Sequence, residues 1–111
     1  MRVLFDVDGT LIESGSASDN HPLPKTAIVE LLKALAAGGH RIAVASSAGR
    51  EVAAAVCVVL GIRGLVRIVD KEPDNYDLVI DDSAEGGQGL GRQLLQVRSG
   101  MLGAEVDDPW P

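Results

Sequence analysis

Val3-Leu4-Phe5 runs straight into Asp6-Val7-Asp8-Gly9-Thr10, so an apolar stretch ends in two carboxylates and a turn. A short apolar run bounded by turn residues reads as a buried strand. Strand residues two apart share a face, so Asp6 and Asp8 can set out toward one place. Gly9 lets the backbone leave the strand in a conformation that other residues avoid. A carboxylate repels an anionic phosphate unless a cation lies between them. Two or more carboxylates at a strand end can hold Mg²⁺ with several waters still attached. One carboxylate can then serve as nucleophile and the other as proton donor. An acidic turn on the surface is the plainer alternative, and the rest of the chain decides between them.

A second strand of the same kind lies downstream. Tyr76-Asp77-Leu78-Val79-Ile80 closes in Asp81-Asp82, and adjacent carboxylates there repel each other unless they are solvated or metal-bound. Between the two acidic ends the chain alternates. Lys25 to Ala37 predicts a helix with Ile28, Leu31, Leu32 and Leu35 on its apolar face and Gly38-Gly39 as its stop. Ile42-Ala43-Val44-Ala45 predicts a buried strand that ends at Ser46-Ser47. A helix follows from about Arg50 to Leu60, marked by Val52, Val56, Val59 and Leu60. Hydroxyls between a strand end and a helix start suit an anion, and either of them also suits a helix cap. Ser46 is favoured for the anion because it directly follows the strand; Ser47 is the fallback. Leu65–Val69 predicts a third strand, left through Asp70-Lys71-Glu72-Pro73. His21, Arg50 and the start at His40-Arg41 read as solvated.

Composition narrows the class. The chain has 111 residues, of which 46% are hydrophobic and only 3% aromatic. One small domain over residues 1–111 is expected, its core made of Val, Ile, Leu and Ala, which suits a parallel sheet under helices. The net charge of −6 argues against strong non-specific nucleic-acid binding. Cys57 is the one cysteine. It lies in an apolar helical run and reads as a core residue in a reducing compartment. The N-terminus enters a strand directly, and the longest apolar run is too short to span a bilayer. A cytoplasmic protein without membrane contact is therefore expected.

The C-terminal third is less explicit. Gly86-Gly87-Gln88-Gly89-Leu90-Gly91 invites a nucleotide-loop reading, but Arg92 occupies the place of the glycine that it requires. The segment reads as a flexible lead into a helix over about Gly91–Val97, carried by Leu94 and Leu95. Met101-Leu102 and Val106 suggest a short edge strand, and residues 103–111 a loose tail.

Asp6–Thr10, extended through Leu11 and Ile12, resembles the DxDGT signature of the haloacid dehalogenase (HAD) superfamily. Ile42–Ser46 resembles its second motif, Lys71 its third, and Leu78–Asp82 its fourth. The likeness covers residues 1 to about 85. It departs from the commonest pattern after Lys71, where Glu72–Asp77 is too short for the usual helix; small capless members are similar in this respect. The resemblance implies an α/β, Rossmann-like three-layer sandwich with a mostly parallel sheet, no cap domain, and the first strand between the second and fourth. It implies an Mg²⁺-dependent phosphatase. In that scheme Asp6 is the nucleophile and Asp8 the general acid and base. Ser46 and Lys71 hold the phosphoryl group, and Asp6, the Asp8 carbonyl, Asp81 and Asp82 hold Mg²⁺. An acid at the second position favours phosphatase over dehalogenase or ion pump. Without a cap, a phosphorylated substrate that is extended or macromolecular is expected, or a second subunit covering the site as a homo-oligomer. Two alternatives stand beside this: a non-catalytic Mg²⁺-binding or interaction domain, and a phosphatase for nucleic-acid ends.

Overall fold

The computed structural model describes residues 1–16 and 21–98. The suggested edge strand at 101–106 and the tail at 103–111 lie outside the described residues. Five strands form one all-parallel sheet: β1 (Arg2–Asp6), β2 (Arg41–Ala45), β3 (Arg67–Ile68), β4 (Tyr76–Asp81) and β5 (Gly91–Gln96), in the order β3-β2-β1-β4-β5. β1 therefore lies between β2 and β4, as expected. Connections from β1 run outward one way and the chain then returns past β1 to β4. The switch point of this doubly wound sheet falls between β1 and β4, the place where open α/β sheets bind ligands.

Helices α1 (Thr26–Ala37) and α2 (Arg50–Val59) cover one face. Val3, Phe5 and Val7 alternate toward it along β1 and meet Ile28 and Leu32 of α1 and Ala53, Val56 and Cys57 of α2. The Cys57 thiol is fully buried, and burial pushes its pKa up to about 11. It is a core residue, as its place in the sequence suggested. Val59 is not: the buried face runs through Ala53, Val56 and Cys57, and Val59 is 62% exposed.

The other face is thinly covered. Leu4, Ala43, Ala45, Val79 and Leu94 point there. Among the described residues its only helix is α3 (Ala84–Gly87), four residues long, capped by the Ser83 hydroxyl accepting from the Gly86 N–H at 3.0 Å. The expected three-layer sandwich is thus complete on one side only. The cause is the β3-to-β4 crossover, which passes from Ile68 to Tyr76 without a helix.

Two further expectations are corrected. Gly91–Gln96 is a strand paired with β4, not a helix. Leu94 serves the thin face and Leu95 the helix-covered one, so two adjacent apolar residues feed opposite layers. Gly91 is needed because a Cβ there would sit 2.8 Å from the Tyr76 carbonyl oxygen. The third strand shrinks to Arg67–Ile68, since Arg63–Leu65 forms a 3₁₀ turn. His40 is also tied down: its Nδ1 lies 2.9 Å from the N-terminal amine. No helix among the described residues is long and apolar enough to cross a membrane.

Candidate active site

β1 delivers Asp6 to the C-terminal edge of the sheet. Asp6 pairs in register with Ala45, the last residue of β2, so Ser46 stands one residue beyond it. On the other side Phe5 pairs with Ile80, which puts Asp81 and Asp82 beside the same edge. Asp6, Asp81 and Asp82 each offer a carboxylate oxygen, and these oxygens lie within 4.8 Å of one another.

Lys71 joins them across 65 residues. Its Nζ donates to Asp6 Oδ1 at 3.1 Å and lies 3.0 Å from Asp81 Oδ2. The short loop after Lys71 thus does not keep it from the acids. Burial works against its charge, but hydrogen bonds and attraction from Asp81 and Asp6 outweigh that and raise its pKa. Thr10 Oγ1 donates to Asp6 Oδ2 at 3.4 Å, and the Ser83 N–H donates to Asp81 Oδ1 at 3.0 Å. Asp81 Oδ2 is buried and accepts no well-aligned hydrogen bond, although Lys71 is near. It is held by the charge of Lys71 rather than by an aligned donor.

Three carboxylates against one ammonium leave an excess of negative charge in a buried place. Burial first, and the Asp81 charge second, push Asp6 up to about 7 against the pull of Lys71. Asp82 is raised as well, first by burial and then by its hydrogen bond with Asp81. Carboxylates this close share a proton or a cation. The donor set is all oxygen, with no His or Cys, which suits a hard cation such as Mg²⁺ rather than Zn²⁺.

The remaining predicted residues divide. Ser46 is buried, and its Oγ accepts from the Ala48 N–H at 3.0 Å in a turn ahead of α2; the N-cap of the helix itself is Gly49, with no side-chain cap, and Ser47 is exposed. The Asp8 side chain is exposed and lies outside the carboxylate cluster. Its Oδ1 accepts from the Gly15 N–H at 3.0 Å. Ser16 closes the same loop: its Oγ donates to the Glu13 carbonyl at 2.7 Å and accepts from the Leu23 N–H at 3.1 Å. His21 is exposed.

Sequence reasoning passed over one contact. Arg50 Nε and Nη2 donate to the two carboxylate oxygens of Asp70 at 2.9 and 3.0 Å, a fork that ties the neighbour of Lys71 to the start of α2. No local signal links residues twenty positions apart, so only the fold reveals it.

Gly9 is held at φ +79°, and a Cβ there would overlap the Asp82 carboxylate. Gly9→Ala is expected to cost about 1–2 kcal/mol for the left-handed backbone alone. It should also push Asp82 out of the cluster and weaken divalent-cation binding by roughly tenfold or more. Urea unfolding and cation titration check both, and wild-type values in both would refute the placement of Gly9 against Asp82. Compared with known proteins, the chain matches no family model and no curated protein.

Proposed function

We propose that this chain is a capless HAD-type phosphatase that hydrolyses a phosphate monoester with Mg²⁺ through an aspartyl-phosphate intermediate. The observation that carries the reading is the contact of Asp6 with Lys71 at 3.1 Å within a group that also holds Asp81 and Asp82. A nucleophilic carboxylate needs a cation to approach a phosphate, and Lys71 supplies one fixed charge there. Asp6, Asp81 and Asp82 would hold Mg²⁺ together with the Asp8 carbonyl; the buried Asp81 Oδ2, which has no aligned donor, fits that role. Bound there, Mg²⁺ would neutralise phosphoryl charge and keep Asp6 ionised.

In this reading an Asp6 oxygen attacks phosphorus and the ester P–O bond breaks. Asp8 gives its proton to the leaving oxygen. A water then attacks the aspartyl phosphate, Asp8 takes its proton, and phosphate departs with Asp6 regenerated. Lys71 balances charge on the phosphoryl oxygens throughout, and in this reading the Ser46 hydroxyl donates to one of them. The short crossover, and Ser16 bound to both Glu13 and Leu23, support an open site. Such a site favours a substrate large enough to exclude water with its own surface.

One observation favours a second reading, a domain that binds Mg²⁺ without turnover. The Asp8 carboxylate is bound to the Gly15 N–H and lies outside the group of Asp6, Asp81 and Asp82. Asp8→Asn separates the two. With radiolabelled aryl phosphate and a rapid acid quench, the phosphatase reading expects covalent label to accumulate on the Asp8→Asn protein, since attack persists while water activation is lost. Absence of label on both wild type and Asp8→Asn, with Mg²⁺ still bound, would leave the binding domain as the correct reading.

A further inference from the structure

Parallel sheets are ordinarily apolar on both faces because helices cover both. Here the thin face carries Arg2 at the start of β1, Arg41 at the start of β2 and Arg67 in β3. Arg2 pairs in register with Arg41, and Arg67 pairs with Ala43, two residues further along β2. Like charges directly across a pair of strands are unfavourable. The helix-free crossover leaves a groove of about 400 Å³ over these residues, and Arg50 also lines it. Four of the chain's ten Lys and Arg residues therefore line one groove of a protein whose net charge is −6.

Two of the four are already satisfied. Arg2 pairs with Asp74 at 3.1 Å and stacks over the Tyr76 ring, and Arg50 forks onto Asp70. Arg41 and Arg67 are exposed and have no ion-pair partner among the described residues. The geometry points to a second ligand site, separate from the carboxylate cluster, in which Arg41 and Arg67 hold a compact phosphate-bearing anion. Guanidinium forks match phosphate oxygens in pairs. Ala43 and Val69 give the groove an apolar floor, and its volume suits a small molecule. The rim selects for size. Asp70, Glu72 and Asp74 stand on the crossover at the groove edge and repel a long polyanion that would have to run past them. Nucleic acid is therefore the poorer fit.

The probe is inorganic pyrophosphate, titrated into the full chain in EDTA at low ionic strength, where screening is least. Chelation leaves the carboxylate cluster without a cation and so repulsive to anions. Saturable shifts of the Arg41 and Arg67 Nε–H resonances are expected. Arg41→Gln and Arg67→Gln should each weaken binding about tenfold. Arg63→Gln, which removes one charge outside the groove, should change it less than about twofold. Neither variant should melt below wild type, since neither arginine has an ion pair to lose and Arg41→Gln relieves the repulsion between Arg2 and Arg41. Equal losses in all three variants would mean general charge attraction and overturn the site. So would a loss confined to Lys71→Met, which would put the anion at the carboxylates. Tighter binding of a single-stranded oligonucleotide to the same arginines, or no shift with millimolar pyrophosphate, would also overturn it.

Discussion

Asp6→Asn is expected to lower turnover of an aryl phosphate by more than about a thousandfold while making the metal-free protein more stable. The loss follows from the proposed role, because an amide neither attacks phosphorus nor holds Mg²⁺ as a carboxylate does. The gain follows from electrostatics. Asp6 is 6% exposed and stands among Asp81, Asp82, Lys71 and the Thr10 hydroxyl. Burial and Asp81 raise its pKa from 3.8 to about 7. Below the lower value both folded and unfolded chains keep the proton, and no penalty arises. Between the two values the unfolded chain ionises first, so the folded state binds more protons and stability falls as pH rises. Above about 7 the penalty is constant. Asn cannot ionise, so the Asp6 contribution to that slope should vanish and the melting temperature at pH 8 should rise. Melts across pH 4 to pH 8 in EDTA, with rapid-quench labelling at pH 7, read both effects. Covalent label on the Asp6→Asn protein would refute the nucleophile, and an unchanged pH slope would refute the buried like-charge cluster.

What the sequence discloses of the fold is largely what β1 and β4 disclose. Leu4-Phe5-Asp6 and Val79-Ile80-Asp81 are apolar runs ending in acids, and both the strand type and the strand end are local properties. α1 was legible for the same reason, with Ile28 and Leu32 one turn apart on one face. β5 was not. Leu94 and Leu95 sit side by side, which fits a helix face as well as a strand with both faces covered, and only Leu95 followed by Val97 in one core hints at the period of two. The thin face was not legible either. Arg41 and Arg67 look like ordinary solvated residues until the register sets them together. Of the candidate site, Asp6, Asp81 and Asp82 were readable because Asp6 and Asp81 end strands and Asp82 directly follows one. Lys71 was readable only by order along the chain, since a lysine in a loop carries no directional signal. Its contact with Asp6 depends on a crossover too short to hold a helix and on the Asp70–Arg50 fork beside it. Asp8 shows the limit of strand periodicity. Two residues past Asp6 it could share that face, but the turn at Gly9 carries its side chain toward Gly15 instead.

Removal of divalent cations with EDTA is expected to abolish turnover, and Mg²⁺ to restore it. The argument rests on charge balance. Asp6, Asp81 and Asp82 face one another with Lys71 as the single cation among them, and Asp81 Oδ2 lacks an aligned donor. An incoming phosphate dianion would add to an excess of negative charge, so the site without a divalent cation repels it. A divalent ion bound there would supply the missing charge and take Asp81 Oδ2 as a ligand. The same balance predicts a stability readout independent of activity. In the proposed reading Mg²⁺ binds the folded cluster and not the unfolded chain, so saturating Mg²⁺ should raise the melting temperature, by about 2.7 kcal/mol of stability at a hundred times its dissociation constant. Binding must also displace the proton that Asp6 retains up to about pH 7. Mg²⁺ affinity should therefore rise from pH 5 to pH 7 and then level, with protons released on titration in weakly buffered solution. Asp82→Asn should lessen the repulsion and stabilise the metal-free protein, yet bind Mg²⁺ more weakly. Zn²⁺ should not outperform Mg²⁺ in turnover, because no soft ligand stands in the cluster. Full activity in EDTA, or a melting temperature indifferent to Mg²⁺ at pH 7, would remove the metal from the mechanism and leave Lys71 as the cation facing the phosphate.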